Sequence, residues 1–305
     1  MTKQSKTVVF FGSGPLAAAS LELLAKDFEI ESVITKSTPT GHNGDVPVLK
    51  LSNKLGIKTY GVSSRLELDD LIKQVNFNSE VAILIDFGII ISRSVIDYFP
   101  KGIINSHFSI LPQWRGADPI SFSLLSGQKT TGVSLMLLVE AMDEGPLLSY
   151  AEIDIEPEFT SPLLNEKLVE LSDGLIKEIV PLYLNDEISA QPQTITGRSV
   201  SYSRKLTKKD GLIDWTKPAD VIEREIRTFI DWPKSHAKIG NLEVIITSAH
   251  VSATINAQPG TFKIDNDELL VECGESSLSI DKLKPAGKPE MPIKAFLIGY
   301  GDRLA

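Results

Sequence analysis

Asn105 and His107 are the residues of this 305-residue chain whose types and spacing best suit chemistry. They lie two positions apart at the end of an apolar run, Gly102–Asn105, that is typical of a buried strand, so their side chains point to one face. A carboxamide and an imidazole on one face can both donate hydrogen bonds to a single oxygen, as a tetrahedral oxyanion formed from a carbonyl requires. Asp143, in a turn after the next strand, can orient the imidazole or take a proton from an attacking amine.

Each of these residues also has a purely structural interpretation. An Asn at a strand end often forms a turn, a His is often a satisfied core or surface group, and an Asp before Gly often serves the turn alone. The order of the segments that contain them is more informative. It runs Asn-x-His-x-Ser-x-Leu-Pro over 105–112, Trp-Arg-Gly over 114–116, Thr-Gly-Val over 131–133 and Asp-x-Gly over 143–145. This combination indicates one catalytic site.

The ordered set resembles the signature of the folate-dependent formyltransferases. The resemblance implies catalysis by Asn105, His107 and Asp143, with Ser109 supporting the His and Gly145 supporting the turn. It implies 10-formyltetrahydrofolate as the formyl donor, with neither a metal nor a nicotinamide cofactor. The donor is expected in a cleft formed by 85–90 and the loop around Asp143. Its expected contacts are Ile85, Phe87, Gly88, Ile89, Ser109, Leu111, Pro112 and Asp143.

Segments from residue 114 onward resemble the members of this family that act on methionyl-tRNA. The matching segments are Trp-Arg-Gly-Ala at 114–117, Lys-Leu-Thr-Lys-Lys at 205–209, Gly-Leu-Ile-Asp-Trp at 211–215, Trp-Pro at 232–233 and Phe-Leu-Ile-Gly-Tyr at 296–300. The resemblance implies initiator methionyl-tRNA as the acceptor. The predicted tRNA contacts are Arg115, Lys205, Lys208, Lys209 and Arg227.

Other functions stay open at this level. A formyltransferase acting on an amino sugar nucleotide would keep Asn105, His107 and Asp143. A nicotinamide-dependent oxidoreductase would use Gly-x-Gly-x-x-Ala at 12–17, but it needs an acidic residue at the tip of the next strand, and that strand ends at Thr35-Lys36. We therefore interpret 12–17 as a tight strand-to-helix turn. A non-catalytic RNA-binding module would not need the three polar residues together.

Alternating apolar runs and helix-like stretches predict the architecture that positions these residues. Before residue 140, strand-like runs at 7–11, 30–35, 81–85, 102–105 and 131–140 alternate with helix-like stretches at 16–26, 48–55 and 66–75. This favours an α/β, Rossmann-like, mostly parallel sheet with helices on both faces, and a long helix over 162–184. Short alternating segments after residue 235 predict a small OB-fold-like β-barrel. The predicted division is a catalytic domain over 1–189, a linker over 190–206 and a C-terminal tRNA-binding domain over 207–305.

Composition limits the remaining functions. The chain carries 31 Lys plus Arg against 40 Asp plus Glu, a net charge of −9, and one cysteine, Cys273, which fits a reducing cytoplasm and excludes an intrachain disulfide. From Thr207 onward there are 13 basic and 15 acidic residues, a net −2, so the first 206 residues carry −7 of the total. Binding of tRNA phosphates would require a local basic strip. No segment demands a membrane or a second subunit, and we expect a monomer.

Two features depart from the family pattern. The loop after the second strand, 36–45, holds one Lys, one His and one Asp, where the family carries a basic insert proposed to engage the acceptor stem. Glu144 stands where the family usually has Thr, and it either faces solvent or adds negative charge beside Asp143.

Overall fold

A computed structural model describes residues 7–37, 46–301 and 304 of the chain. The tertiary contacts divide the chain into two compact units. The first unit comprises Met1–Pro119, Thr130–Asp154 and Asn165–Ser203, and the second comprises Ile120–Lys129, Ile155–Leu164 and Arg204–Ala305. Residues 190–203, most of the predicted linker, therefore pack with the first unit. Most of the loop predicted over 36–45 lies outside the described residues.

Nine strands occur among the described residues of the first unit. They are β1 (Thr7–Gly12), β2 (Glu29–Lys36), β3 (Thr59–Val62), β4 (Ala82–Ile85), β5 (Ile103–His107), β6 (Arg115–Gly116), β7 (Thr130–Leu137), β8 (Leu147–Asp154) and β9 (Tyr202–Ser203). The helices up to residue 184 are α1 (Pro15–Leu24), α2 (Pro47–Lys54), α3 (Arg65–Gln74), α4 (Arg93–Ile96), α5 (Pro119–Leu125) and α6 (Ser161–Leu184).

Seven of these strands form one sheet in the order β3-β2-β1-β4-β5-β7-β8. The first five strands of this order pair in parallel, and β7 and β8 pair antiparallel to their neighbours. This confirms the predicted mostly parallel sheet. The sequence analysis missed β3 and β8, because β3 is four residues long and β8 alternates polar with apolar residues, which leaves no continuous apolar run.

Strand β5 lies inside the sheet, between β4 and β7, and all five of its residues are buried. Asn105 pairs with Leu84 on one side and Met136 on the other, and His107 pairs with Ser134. The carboxyl end of a parallel strand is where ligands bind in open α/β sheets. The fold therefore holds both polar residues on a rigid element at the edge where a substrate can approach.

The second unit is built on an antiparallel sheet in the order β10-β11-β14-β13-β12, with β15 pairing to β14. The strands are β10 (Ser235–Ile239), β11 (Leu242–Ser252), β12 (Phe262–Asp265), β13 (Glu268–Glu272), β14 (Ser277–Pro285) and β15 (Met291–Pro292), and the helices are α7 (Ala219–Thr228) and α8 (Ile293–Tyr300). One core joins both helices to the sheet through buried residues such as Ile222, Leu278 and Phe296. This agrees with the small antiparallel domain predicted for the second half. Within the described residues, no helix is both long and apolar enough to span a membrane.

Candidate active site

Asn105 presents an available carboxamide at the end of β5. The residue is 7% exposed, and its side chain makes no hydrogen bond with any residue that the structure describes. The hydroxyl of Ser106, between Asn105 and His107, instead bonds Ser172 at 2.7 Å. Side chains alternate along a strand, so Asn105 and His107 share a face as their spacing predicts, and Ser106 occupies the opposite one. A buried amide without a protein partner is suited to a ligand, since burying it unbonded costs free energy.

The ring of His107 is oriented by a backbone carbonyl. Its Nε2 lies 3.0 Å from the carbonyl oxygen of Trp114, and because a carbonyl only accepts, Nε2 carries the hydrogen of this bond. The other ring nitrogen, Nδ1, lies 3.8 Å from Oδ1 of Asp143. Nδ1 is therefore the nitrogen that faces the carboxylate, and it acts as a donor only when the ring is the imidazolium.

The loop that carries the Trp114 carbonyl is held by serine hydroxyls. Ser109 donates to the carbonyl of Gln113 at 2.5 Å, and the Trp114 backbone N–H donates to Ser201 at 3.0 Å. Trp114 has a φ of +56°, an uncommon conformation for a bulky side chain. Ser109 was predicted to support His107; its hydroxyl bonds the loop that leads to Trp114, and it makes no direct bond to the imidazole.

Asp143 is held opposite His107 by the backbone of β6. Its Oδ2 accepts the N–H of Gly116 at 2.7 Å, and its own φ is +53°. Gly116 has a φ of +118°, and a Cβ there would lie 2.2 Å from the carbonyl oxygen of Ser203. A Cβ on Gly145 would lie 1.8 Å from the carbonyl oxygen of Leu137. Both glycines are required by close backbone approach, so they fix where the Asp143 carboxylate stands.

Arg115 is engaged inside the first unit. Its side chain is 13% exposed, and Nη1 forms an ion pair of 3.0 Å with Glu144, whose own side chain is 48% exposed. Nη2 donates to Oε1 of Gln193 at 2.8 Å. Arg115 was predicted to contact tRNA, but these contacts direct its guanidinium toward the Asp143 turn. Glu144 is thus paired with a cation as well as partly facing solvent.

Gln193 was not predicted to belong to the site, because a Gln in a polar segment carries no signal of its own.

The predicted folate-contact residues divide into two groups. Four of the eight are buried in the core or in the body of the site loops: Ile85, Phe87, Ser109 and Leu111. Phe87 packs edge-to-face on Phe11, with ring centroids 5.4 Å apart. Gly88, at a φ of +69°, and Ile89 follow Phe87, and they are more exposed. Pro112 instead lines a cavity of about 480 Å³ together with Arg115, Glu144 and Gln193. Asp86 and Ile90 are also exposed, so both side-chain and backbone groups at 86–90 are available to a ligand.

The turn at 12–14 uses its backbone N–H groups internally. The N–H groups of Ser13 and Gly14 both point to the carbonyl of Asp86, at 3.0 and 3.4 Å. The same donors would be needed to cradle a pyrophosphate. The geometry therefore favours the tight-turn interpretation over dinucleotide binding.

Asp86 is a strained acidic residue beside this turn. Its φ is +46°, and a Cβ added to Gly14 would lie 1.7 Å from its Oδ2. Part of the residue is exposed, yet loss of water around the carboxylate, together with the charge of Asp118, raises the pKa of Asp86 to about 6, against the opposing effect of Lys36. The native state therefore keeps this proton at pH values where the unfolded chain has lost it.

We predict that Asp86→Asn stabilises the protein in a pH-dependent way. Because the native pKa is raised, stability falls as pH rises from about 4 to about 6, and the full penalty remains above that range. The variant should melt at a higher temperature than wild type at pH 7.5, with a smaller difference at pH 4.5. Asp118→Asn removes the neighbouring charge but leaves the Asp86 carboxyl in place, so it should give a weaker effect of the same sign, measured in the same melts. An equal shift at both pH values would contradict this assignment.

The remaining predicted tRNA contacts lie in the second unit. Lys205, Lys208 and Lys209 are exposed, and none of them forms an ion pair with a residue that the structure describes. Arg227 instead donates to Glu223 and to the carbonyl of Phe159, and its side chain is 14% exposed. Three lysines are therefore available for phosphates, and Arg227 serves the packing of its own unit.

No cluster of three or more His, Cys, Asp or Glu suited to a metal ion occurs among residues 7–37, 46–301 and 304. The polar side chains that meet at the end of β5 are the carboxamide of Asn105, the imidazole of His107 and the carboxylate of Asp143. These three groups, held on β5 and on the turn after β7, are arranged to stabilise an oxyanion and to move a proton beside it.

Comparison with known protein families gives two matches along the chain. The family model described as formyl transferase matches residues 6–180, and the one described as formyl transferase, C-terminal domain, matches residues 205–301. Together they cover Asn105, His107 and Asp143, and the strands of the antiparallel unit.

Curated relatives extend over nearly the whole chain. The methionyl-tRNA formyltransferase of Pseudoalteromonas translucida (strain TAC 125) is 32% identical over 310 residues, covering 98% of this chain and 95% of that protein. That of Listeria innocua is 29% identical over 304 residues, with 98% and 97% covered. Among solved structures, an N-formyltransferase from Helicobacter canadensis, in complex with folinic acid and dTDP-3-aminofucose, superposes with a TM-score of 0.67 at 18% identity, covering 90% of this chain and 98% of that one. At that identity the superposition shows the shared fold.

Proposed function

Because this chain belongs to the formyl transferase family, we propose that it transfers the formyl group of 10-formyltetrahydrofolate to the α-amine of methionyl initiator tRNA. Its relatives and its matched domains identify a formyl-transferring enzyme, and the acceptor is the further step. The observation that carries this step is similarity to methionyl-tRNA formyltransferases over 98% of the chain, the C-terminal unit included. Formylation of an initiator tRNA places the enzyme at translation initiation.

In the proposed reaction, the amine nitrogen bonds to the formyl carbon and the carbonyl oxygen becomes an oxyanion. The bond from that carbon to N10 of the folate then breaks, and the proton released by the amine ends on N10. The products are formylmethionyl-tRNA and tetrahydrofolate. The chain must therefore stabilise one developing negative charge and transfer one proton, and it must hold both substrates while doing so.

Asn105, His107 and Asp143 supply these functions in the proposal. The amide of Asn105, which bonds no residue that the structure describes, donates to the oxyanion. His107 donates through Nδ1 as the imidazolium, because its Nε2 is committed to the Trp114 carbonyl. Asp143, 3.8 Å from Nδ1, balances the charge of that ring and takes the proton, directly or through water, toward N10. The exposed backbone at 88–90 and the Asp143 turn are suited to hold the folate.

The test of the acceptor is a parallel assay. Purified protein is given 10-formyltetrahydrofolate with charged initiator tRNA in one reaction and with a dTDP-linked amino sugar in another, and the formylated product of each is quantified. We expect rapid formylation of methionine on the tRNA and little formylation of the sugar. No transfer to the tRNA would overturn the proposed acceptor, and transfer to the sugar alone would favour the amino sugar alternative, which shares the catalytic residues.

The exposed lysines predict a salt-sensitive tRNA contact. Replacing Lys208 and Lys209 by Ala should raise the KM for tRNA and leave kcat unchanged, because both side chains are exposed and unpaired with described residues. If each neutralises one phosphate, the slope of log affinity against log salt should become shallower by about 2. Steady-state kinetics at salt concentrations from about 50 to 200 mM would measure both the rise in KM and the change in slope.

The matched control is a second pair of exposed lysines in the same unit. Lys263 and Lys294 each lie near an aspartate, at 2.8 Å from Asp265 and 3.7 Å from Asp267. Replacing both by Ala makes the same change in net charge. An equal rise in the KM for tRNA in the control variant would show that the net charge of the protein, and not a tRNA contact at 208–209, sets this KM.

A further inference from the structure

Gln193 joins the two segments that shape the catalytic site. Its Nε2 donates to the carbonyl of Asp143 at 2.7 Å and to the carbonyl of Gly145 at 2.9 Å. Its Oε1 accepts from Arg115, at 2.8 Å from Nη2 and 3.3 Å from Nε. The residue is 7% exposed. One buried amide therefore uses both of its hydrogens on the Asp143 turn and its oxygen on the residue next to Gly116.

These bonds act on the geometry of the Asp143 carboxylate. Gly116, which follows Arg115, gives its N–H to Oδ2 of Asp143. Gln193 thus bonds the backbone of Asp143 on one side and, on the other, the side chain of the residue that precedes Gly116. Asp143 itself has a φ of +53°, which is uncommon for a residue with a side chain, and its carbonyl must be held for the conformation to persist. No hydrogen bond of the Gln193 side chain goes to Asn105 or His107. Its effect on the site passes through the turn and through β6.

The segment that delivers Gln193 is itself anchored to the first unit. Leu147 and Gln191 exchange two backbone hydrogen bonds of 2.7 Å, and Thr196 donates to the carbonyl of Leu111 at 2.9 Å. A short 3-10 turn, Gln193–Thr196, lies between these anchors. The amide of Gln193 is thus presented by a fixed stretch of backbone, although the sequence of this stretch reads as a polar linker.

We propose that Gln193 is a positioning residue for Asp143, holding its carboxylate at the distance from His107 that formyl transfer requires. The inference rests on the proposed role of Asp143 in proton transfer. Gln193 touches neither reacting group in this account, so its loss should lower kcat and leave substrate binding nearly unchanged. A group displaced by about 1 Å can lose on the order of 10²-fold in rate.

A double-mutant cycle separates positioning from simple structural support. Gln193→Leu keeps the volume and removes all four hydrogen bonds, and we expect kcat to fall by about 10- to 100-fold, with the KM of each substrate within about twofold of wild type. In an Asp143→Asn background, the same substitution should change kcat by less than about twofold, since the carboxylate it positions is already absent. A residue that only stabilised the fold would lower kcat by the same factor in both backgrounds.

Two further variants complete the test. Gln193→Glu keeps an acceptor for Arg115 and turns an oxygen toward the carbonyls of Asp143 and Gly145, so it should lower kcat like Gln193→Leu. It also serves if the Leu variant fails to fold. Gln191→Leu is the matched control, because its side chain is exposed, bonds only Ser189 and lies two residues away. It should retain wild-type kcat.

The cycle is measured with whichever amine the wild-type protein formylates. Absence of transfer to methionyl-tRNA therefore rejects the proposed acceptor and leaves the role of Gln193 to be decided by the cycle. Equal losses of kcat for Gln193→Leu in both backgrounds would overturn the inference, as would a Gln193→Glu variant with wild-type kcat. Coupling between the two residues, with normal KM values, would establish it.

Discussion

Replacing Asn105 by Ala is expected to lower kcat by about 10²- to 10³-fold, the loss typical for removal of one oxyanion donor. His107→Ala should cause a loss of at least this size, because the imidazole faces both the reacting carbonyl and Asp143 in the proposed mechanism. Single-turnover formyl transfer with saturating donor would measure the chemical step directly. Near-normal transfer by either variant would contradict the assignment of Asn105 and His107 as the oxyanion donors.

The Asn105 variant should remain folded, because no described residue depends on its side chain for a hydrogen bond. Ser106→Ala provides the matched control in the same strand. Ser106 is buried and bonded to Ser172 on the opposite face, so its loss should lower the melting temperature and leave kcat intact. A loss of kcat for the Asn105 variant and a loss of melting temperature for the Ser106 variant would demonstrate that one face of β5 serves catalysis and the other serves stability.

Asp143→Asn is expected to lower kcat by about 10²- to 10⁴-fold, as for loss of a group that transfers a proton. Asn has the same size and keeps an oxygen that can accept the N–H of Gly116, so the turn should survive. It cannot take a proton from the amine, and it removes the negative charge 3.8 Å from Nδ1 of His107. The measurement is kcat and the KM of each substrate by steady-state kinetics, and the loss should fall on kcat.

A neighbouring carboxylate gives the control for this substitution. Glu140 is exposed at the start of the same loop and takes no part in the proposed chemistry, so Glu140→Gln should retain wild-type kcat. If Asp143→Asn kept a kcat within about threefold of wild type, Asp143 would be a turn residue only, which is the structural interpretation that its place before Glu-Gly also allows.

Much of the architecture could be predicted from local pattern. The helix predicted over 162–184 is Ser161–Leu184, and that over 48–55 is Pro47–Lys54, since apolar residues at helical spacing and a Pro at the helix start are local signals. Strands β1 and β4 were recognised because buried parallel strands are continuous apolar runs. β8 and the short strands β6 and β9 carry no such signal. Their pairing is decided by backbone groups that lie far apart in the chain.

The candidate site divides in the same way. The shared face of Asn105 and His107 follows from strand alternation, which needs no tertiary information. That Nε2 of His107 meets the Trp114 carbonyl, and that Arg115 pairs with Glu144, depends on how one loop folds back. The residue type alone predicts neither the tautomer of a His nor the direction in which an Arg side chain points.

The sequence by itself thus determined which residue types could do the chemistry, and the alternation that sets two of them side by side on β5. The tertiary structure alone decided what faces them. Asp143 reaches His107 from 36 positions along the chain, and Gln193 reaches Asp143 from 50 positions along, through a segment that reads as a polar linker. Local pattern reports propensity and periodicity, whereas these contacts exist because folding pays loop-closure entropy to bring distant backbone groups within hydrogen-bond distance.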